Sequence, residues 1–315
     1  MKPVLYIITP CYNEEEALPH TAPKLMELLA QMAASGKISE SSRLTLVDDG
    51  SRDATWKVIE ALARRYPEVE GLKLAHNAGH QNALWAGMMT VREKADAIVT
   101  IDADLQDDVN AIPQFLDKLN EGSDVVYGVR KKRETDTAFK RATAHGFYRF
   151  MRSMGADVVD DHADYRLLSR RALDALSEFG EVNLFLRGMV PLLGFKTDVV
   201  YYDRGERVAG ESKYPLRKML AFAVEGITSF SVKPIRMVIA LGLIFALLGI
   251  LMALYAIVQA ILGHTVSGWA SLMVSVWVVG GVQLMALGLI GTYVGKIYTE
   301  VKRRPRFIVE TYVSK

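Results

Sequence analysis

Two long uncharged apolar runs near the C-terminal end limit what this chain can become. The first, Met237 to Leu262, is about 26 residues and would form a helix ~39 Å long, against a hydrocarbon core of ~30 Å. The second, Trp269 to Val294, carries Ser271, Ser275, Gln283 and several glycines, the small and weakly polar types that let helices pack closely in lipid. The alternative, two core helices of a soluble protein, conflicts with the missing charged face. Only Gly263 to Gly268 lies between the runs, so the expectation is an antiparallel transmembrane hairpin with both ends of the protein on one side.

Charge assigns that side. Arg217, Lys218, Lys233 and Arg236 precede the first run, and Lys296, Lys302, Arg303, Arg304 and Arg306 follow the second or lie at its end, while the connecting turn has no Lys or Arg. The positive-inside rule then puts the rest of the chain in the cytoplasm. Between Pro215 and Phe230, Leu216, Met219, Leu220, Ala223, Ile227 and Phe230 recur at helical spacing. This segment reads as an amphipathic helix on the headgroups or, alternatively, packed on the soluble domain. The expected organisation is a cytoplasmic α/β domain over 1–214, a juxtamembrane helix over 215–232, a two-helix hairpin over 233–295 and a basic tail over 296–315.

The remaining sequence is ordinary mixed sequence. Across 315 residues the chain is 50% hydrophobic with a mean hydropathy of +0.13, which excludes a disordered protein. A net charge of +2 gives no global field for nucleic acid. The single cysteine, Cys11, excludes an intramolecular disulfide framework and fits a reducing compartment. The apolar run in MKPVLYIITP is too short for a signal peptide, so the mature chain is expected to start at Met1.

Val4 to Thr9, Leu44 to Val47, Gly71 to Ala75, Ala97 to Ile101 and Asp124 to Tyr127 read as strands, with helical patterns such as Thr55 to Arg65 and Gln81 to Glu93 between them. That alternation predicts a mainly parallel sheet covered on both faces, with ligands bound beyond the carboxyl ends of the strands.

Three polar clusters follow three of those strands: Pro10 to Glu16, Asp48 to Ser51, and Asp102 to Asp108. Singly, each has a structural explanation, since Asn13 or Asp53 can cap a helix and Gly50 can serve a turn. Together they mark one sheet edge. Asp102, Asp104 and Gln106 place hard oxygen atoms at alternate positions, which suits Mg²⁺ or Mn²⁺ shared with substrate phosphates. A calcium EF-hand fails, because the sixth position is Asp107 and the twelfth Pro113. Neither G-x-x-x-x-G-K-[ST] nor G-x-G-x-x-G is present, so no glycine loop of those kinds cradles the phosphates. Cations are supplied by Arg130 to Arg133, by Lys140-Arg141, and by Arg207 to Tyr214, a loop able to fold over phosphates as a lid; a solvated basic face is the alternative for each. His80, at a strand-to-helix turn, reads as a capping or packing residue.

The ordered set PCYNEEE, VDDGS, DADLQ, YGVR, HADYRLLSR and RVAGESKY, followed by a two-helix hairpin, resembles the inverting family-two glycosyltransferases of GT-A fold. More narrowly it resembles the polyprenyl-phosphate glycosyltransferases, relatives of dolichol-phosphate mannose synthase and of the bactoprenol glucosyltransferases. The resemblance covers essentially the whole chain. It implies that Pro10, Tyr12, Glu14 and Asp48 hold the nucleotide, that Asp102, Ala103 and Gln106 lie at the donor diphosphate, and that Asp102, Asp104 and Gln106 bind Mg²⁺ or Mn²⁺. Arg207 and Lys213 match basic positions at phosphates, and Arg130, with Arg133, Lys140 and Arg141, would meet the acceptor phosphate. Asp104 and Asp164 match catalytic carboxylates, Asp164 as a base or as a group positioning sugar or acceptor.

The implied reaction moves one sugar, glucose or N-acetylglucosamine first, from a UDP-sugar to undecaprenyl or another polyprenyl phosphate at the bacterial inner membrane. The lipid-linked product would serve cell-envelope glycosylation. A GDP-mannose-dependent synthase and a formamido-arabinose transferase are rival members. A processive synthase lacks support, because the Q-x-x-R-W signature and further spanning helices are missing. A non-catalytic membrane module that binds lipid or a partner is the rival from another class. The resemblance also implies a homo-oligomer such as a tetramer, and a separate flippase and downstream transferase.

Overall fold

The computed structural model describes residues 2–130, 162–182, 184–203, 233–262 and 268–314. They divide into two compact units, one containing the described residues up to 203 together with 304–314, the other containing 233–262 and 268–303. The expected helix over 215–232 lies outside the described residues.

The first unit is built on an eight-stranded sheet. Its strands are β1 (Leu5–Cys11), β2 (Arg43–Asp48), β3 (Val69–Leu74), β4 (Ala97–Thr100), β5 (Val125–Arg130), β6 (His162–Ser169), β7 (Thr197–Tyr202) and β8 (Val309–Val313), in the spatial order β7-β5-β6-β4-β1-β2-β3-β8. β1 pairs in parallel with β2 and β4, β2 with β3, and β5 with β7, while β6 and β8 run against their neighbours. This is the mainly parallel sheet that the strand–helix alternation predicts.

All seven residues of β1 are buried, because helices cover both faces. Leu5 and Ile7 belong to a core shared with Leu18 and Leu25 of α1 (Leu18–Ala34), Ile59 of α2 (Thr55–Arg65) and Phe115 of α4 (Ile112–Asn120). α3 (His80–Val91) instead packs on β1 and β2. It does so at Gly87, where a Cβ would stand 2.5 Å from the Ile8 side chain and 2.8 Å from that of Val47. Each fully buried Leu or Ile of such a core contributes ~1.5–3 kcal/mol. Two shorter helices, α5 (Arg170–Ser177) and α6 (Leu186–Leu192), follow β6.

The end of the chain differs from the expected basic tail. β8 pairs antiparallel with β3, Ala75 N donates to Ile308 O at 2.9 Å, and Lys73 pairs with Glu310 at 3.0 Å. The Tyr312 hydroxyl donates to the buried Glu70 carboxylate at 2.6 Å. The physical reason is edge protection: without β8, β3 would be a bare sheet edge.

The second unit consists of two long helices, α7 (Lys233–Ile261, 29 residues) and α8 (Trp269–Lys302, 34 residues). α8 continues past the expected boundary at 295, and Arg303, at φ 47°, ends it in the left-handed region. Within α8, Val278–Lys302 is long and apolar enough to cross a membrane.

Candidate active site

The loops after β1 and β2 are stitched into one structure. Asn13, at φ 55°, accepts from Arg52 N at 2.9 Å, and its own N–H donates to Ser51 Oγ at 3.0 Å. Glu14 N donates to Thr55 Oγ1 at 2.8 Å, and Glu15 accepts from Ala54 N at 2.8 Å. Gly50, at φ 65°, lies so close to the next loop that a Cβ would stand 2.5 Å from Asn77 N. Asp49 completes that contact by accepting from Ala78 N at 2.7 Å and Gly79 N at 3.0 Å. The second carboxylate of VDDGS therefore holds the turn that delivers His80, the first residue of α3.

Beyond β4 the acidic turn is equally fixed. Thr21 Oγ1 donates to Ala103 O at 2.6 Å, and Asp104 accepts from Gln106 N at 3.1 Å. Asp107, nearly fully buried, accepts from Arg130 Nη2 at 2.9 Å and from the Tyr202 hydroxyl at 2.5 Å. That pairing holds the Arg130 guanidinium charged, its pKa raised against the effect of burial by Asp107 and Tyr202.

These loops enclose a cavity of about 320 Å³, within the size range of small-molecule sites. Pro10, Tyr12 and Glu14 line it from the β1 side, Asp49, Asn77, Gly79 and His80 from the middle, and Asp102, Ala103 and Asp104 from the β4 side. The three clusters singled out in the sequence do meet at one sheet edge. Asp48 does not line the cavity but is fully buried, accepting from Ser51 N at 3.2 Å through one oxygen; its Oδ2 has no hydrogen-bond partner among the described residues. Burial raises its pKa. Gln106 is buried and does not line the cavity, unlike Asp102 and Asp104. Arg133, Lys140, Arg141, Arg207 and Lys213 lie outside the described residues.

Asp164, near the start of β6, is 7% exposed and is the centre of a charged cluster the sequence did not reveal. Arg166, a fully buried neighbour on the strand, donates to its Oδ1. Arg187 of α6 forks onto it at 3.3 Å (Nε to Oδ1) and 3.2 Å (Nη2 to Oδ2), and Gln81 Nε2 donates to Oδ2 at 3.2 Å. Gln81 also accepts from Leu186 N at 3.0 Å, tying α3 to α6. His80 Nε2 stands 3.6 Å from Asp164 Oδ2 and 3.6 Å from Asp102 Oδ1. Burial alone would raise the Asp164 pKa, but His80, Arg166 and Arg187 outweigh it and hold the carboxyl well below the usual range. Asp102 goes the other way. Burial, with Asp164, Asp107 and Asp104 nearby, pushes it to about 6 despite the opposing His80.

A sequence profile described as Glycosyl transferase family 2 matches residues 6–177, which span β1 to the end of α5. The chain belongs to glycosyltransferase family 2. This transferase is 50% identical over 309 residues to "Uncharacterized glycosyltransferase YkoT" of Bacillus subtilis (strain 168), covering 98% of this chain and 92% of that protein. It is 38% identical over 309 residues to the "SfII prophage-derived bactoprenol glucosyl transferase" of Shigella flexneri, covering 96% of both. Among solved structures, glucosyl-3-phosphoglycerate synthase from Mycobacterium tuberculosis, in complex with Mn²⁺, UDP-glucose and phosphoglyceric acid, aligns with a TM-score of 0.43 at 19% identity, over 72% of this chain and 78% of that one. The α/β unit is GT-A-like, as the motifs implied.

The donor set fits a divalent cation shared with substrate. Among the described residues no three His, Cys, Asp or Glu side chains come together as a self-sufficient metal cage. Asp102 and Asp104 offer two carboxylates on one cavity wall, the number Mg²⁺ takes when phosphates and water supply the rest. Burial above all, and the neighbouring Asp164, Asp107 and Asp104 after it, raise the Asp102 pKa, and a cation at the site would counter both.

Proposed function

We propose that this transferase moves a single glucose from UDP-glucose to undecaprenyl phosphate or a similar polyprenyl phosphate. The observation that carries the reading is the reach of the match to a bactoprenol glucosyl transferase: it covers 96% of this chain, helical unit included. A soluble sugar transferase has no use for α7 and α8. An enzyme whose acceptor phosphate stands at a bilayer surface does, and the Lys and Arg flanking those helices would collect anionic headgroups there. On this reading the helices form a hairpin in the bacterial inner membrane, with the catalytic unit and both termini in the cytoplasm. Two helices are too few to translocate the product, which leaves that task to a separate flippase and the product's use to a downstream transferase.

The reaction is one inverting displacement. A phosphate oxygen of the acceptor forms a bond to the anomeric carbon as the bond from that carbon to the UDP oxygen breaks. Pro10, Tyr12 and Glu14, backed by Asp48, would hold the nucleoside; Asp102 and Asp104 would hold Mg²⁺ or Mn²⁺, which would supply charge neutralisation at the departing diphosphate. Arg130, held charged by Asp107, would meet the acceptor phosphate. A phosphate monoester has a second pKa of ~6 and is largely ionised at neutral pH, so the nucleophile needs no strong base. Asp164, paired on both oxygens and held ionised at low pH, acts as a positioning group.

The deciding experiment measures nucleotide release by the detergent-purified full chain from a panel of UDP- and GDP-sugars with Mg²⁺, with and without undecaprenyl phosphate. Lipid-dependent release from UDP-glucose is expected, and Asp104→Ala should abolish it while leaving the fold intact. Release indifferent to lipid overturns the acceptor; lipid-dependent release confined to another nucleotide sugar overturns the donor.

A further inference from the structure

His80 lines the cavity, and the proposed reaction has not used it. His80 is at the first turn of α3, 43% exposed, and its position is set from three directions. Asp49 fixes the preceding backbone through Ala78 N and Gly79 N. Gln81 ties the following residue to Asp164 and to Leu186 N. Gly50 permits the close approach of the two loops. So much construction around an exposed ring exceeds what capping or packing requires.

The distances show what the ring awaits. Nε2 lies 3.6 Å from Asp102 Oδ1 and 3.6 Å from Asp164 Oδ2, whereas N–H···O bonds run to ~3.2 Å. Both are ion-pair contacts longer than a closed hydrogen bond, which leaves the Nε2–H within reach, from the cavity side, of a group that accepts from it and donates in turn to a carboxylate. Phosphate oxygens and nucleobase carbonyls are acceptors only, and would face a carboxylate lone pair to lone pair. A hydroxyl both accepts and donates, so it can take the Nε2–H and give its own proton to the carboxylate. The diphosphate of a donor would lie at Asp102 and Asp104; with the nucleoside and its ribose assigned to Pro10, Tyr12 and Glu14, the other hydroxyl-bearing group on that diphosphate is the sugar.

We infer that His80 binds one ring hydroxyl of the donor sugar, with Asp164, Asp49 and Gln81 as the residues that position it. The inference rests on the proposed nucleotide-sugar donor and deepens it: His80 becomes a specificity-determining contact. A site built to hydrogen-bond a hydroxyl rejects the analogue lacking it more strongly than a hydrophobic pocket rejects a missing methylene, because its polar groups are left unpaired.

The test compares binding of free nucleotide and nucleotide sugar to the full chain in detergent, using whichever sugar donor proves active in the release assay and its matching nucleoside diphosphate. His80→Ala should weaken the nucleotide sugar by about tenfold or more and the free nucleotide by less than twofold. His80→Gln, which keeps an N–H at a similar reach, should restore most of the loss. Turnover of the four monodeoxy forms of the sugar supplies the second readout. One of them should fall by tenfold or more in kcat/KM with wild type and show no further deficit with His80→Ala. Equal weakening of nucleotide and nucleotide sugar, or the same monodeoxy pattern in both proteins, overturns the inference while leaving the transfer reaction standing. No lipid-dependent release from any donor overturns the reaction and the inference with it.

Discussion

Arg306 lies with its guanidinium carbon 4.4 Å above the Trp85 ring and donates from Nη2 to Phe179 O at 2.8 Å. The residue thus ties the segment after α8 to α3, the helix whose first residue is His80. Together with β8 it makes the end of the chain a working part of the catalytic unit. Arg306→Ala should lower stability by ~1–2 kcal/mol through the lost cation–π contact and hydrogen bond. Tyr312→Phe should cost ~1–3 kcal/mol by removing a donor from buried Glu70. Thermal unfolding of the purified variants checks both, and a Tm unchanged in each would show that the segment is a dispensable tail.

Gly50 is the residue on which the loop assembly turns. Its φ of 65° disfavours any side chain, and a Cβ would meet Asn77 N at 2.5 Å and the His76 carbonyl carbon at 2.6 Å. The obstruction is backbone, so it cannot be relieved by a rotamer change. Gly50→Ala is expected to cost ~1–3 kcal/mol and to displace the 76–79 turn that carries His80. Donor turnover should drop by more than the stability loss explains, read as kcat/KM at a temperature where the variant remains folded.

Much of this was legible in the sequence, and the reasons for the rest are physical. β1 to β5 announce themselves as apolar runs because both sheet faces are covered, and α2 occupies the expected Thr55–Arg65. β6 is hidden in the sequence because it carries Asp164 and Arg166, whose buried charges pair with each other and, for Asp164, with Arg187. β8 follows a run of basic residues, and its place beside β3 depends on pairing between residues far apart in sequence, such as Gly71 with Val313. α1 has Pro19 as its second residue and Pro23 inside it, which obscures its periodicity. The polar clusters at the sheet edge were readable as a set. Arg187, Gln81 and Tyr202 were not, since no local spacing links them to Asp164 or Asp107. Only the neighbouring Asp49 gave a signal, as a second carboxylate in VDDGS whose structural task the pairing with Ala78 and Gly79 now explains.

Asp164 gives a stability prediction with a defined sign. Its folded pKa is lowered, since His80, Arg166 and Arg187 outweigh the burial that would raise it. A carboxylate of this kind stabilises the fold fully above its unfolded pKa of ~3.9 and loses that contribution as pH falls through the lower folded value. Asp164→Asn removes the charge and leaves Arg166 buried without its counter-ion, a change worth ~3–5 kcal/mol at neutral pH. Urea unfolding should show that gap between wild type and variant from pH 5 to 8, narrowing at lower pH as the wild type weakens. The same lowered pKa makes Asp164 unable to set an acid limb near neutrality. A kcat/KM profile whose acid limb near pH 6 disappears in Asp164→Asn would restore the role of base.

Asp102 titrates in the opposite sense, and the consequence falls on the cation. Burial, reinforced by Asp164, Asp107 and Asp104, brings its pKa to about 6, so in the metal-free protein a proton and a divalent cation compete for the same oxygens below that pH. Affinity for Mn²⁺ in the presence of UDP should be nearly constant above pH ~7 and fall by about tenfold per unit well below pH 6, with one proton released per cation bound. Asp102→Asn should flatten that dependence and weaken the cation at every pH, because the amide presents a neutral oxygen where the wild type presents a charge. Titration calorimetry in two buffers of different ionisation enthalpy measures the released proton directly. Mn²⁺ binding that keeps the same affinity from pH 5 to 8 would show that the cation does not use Asp102.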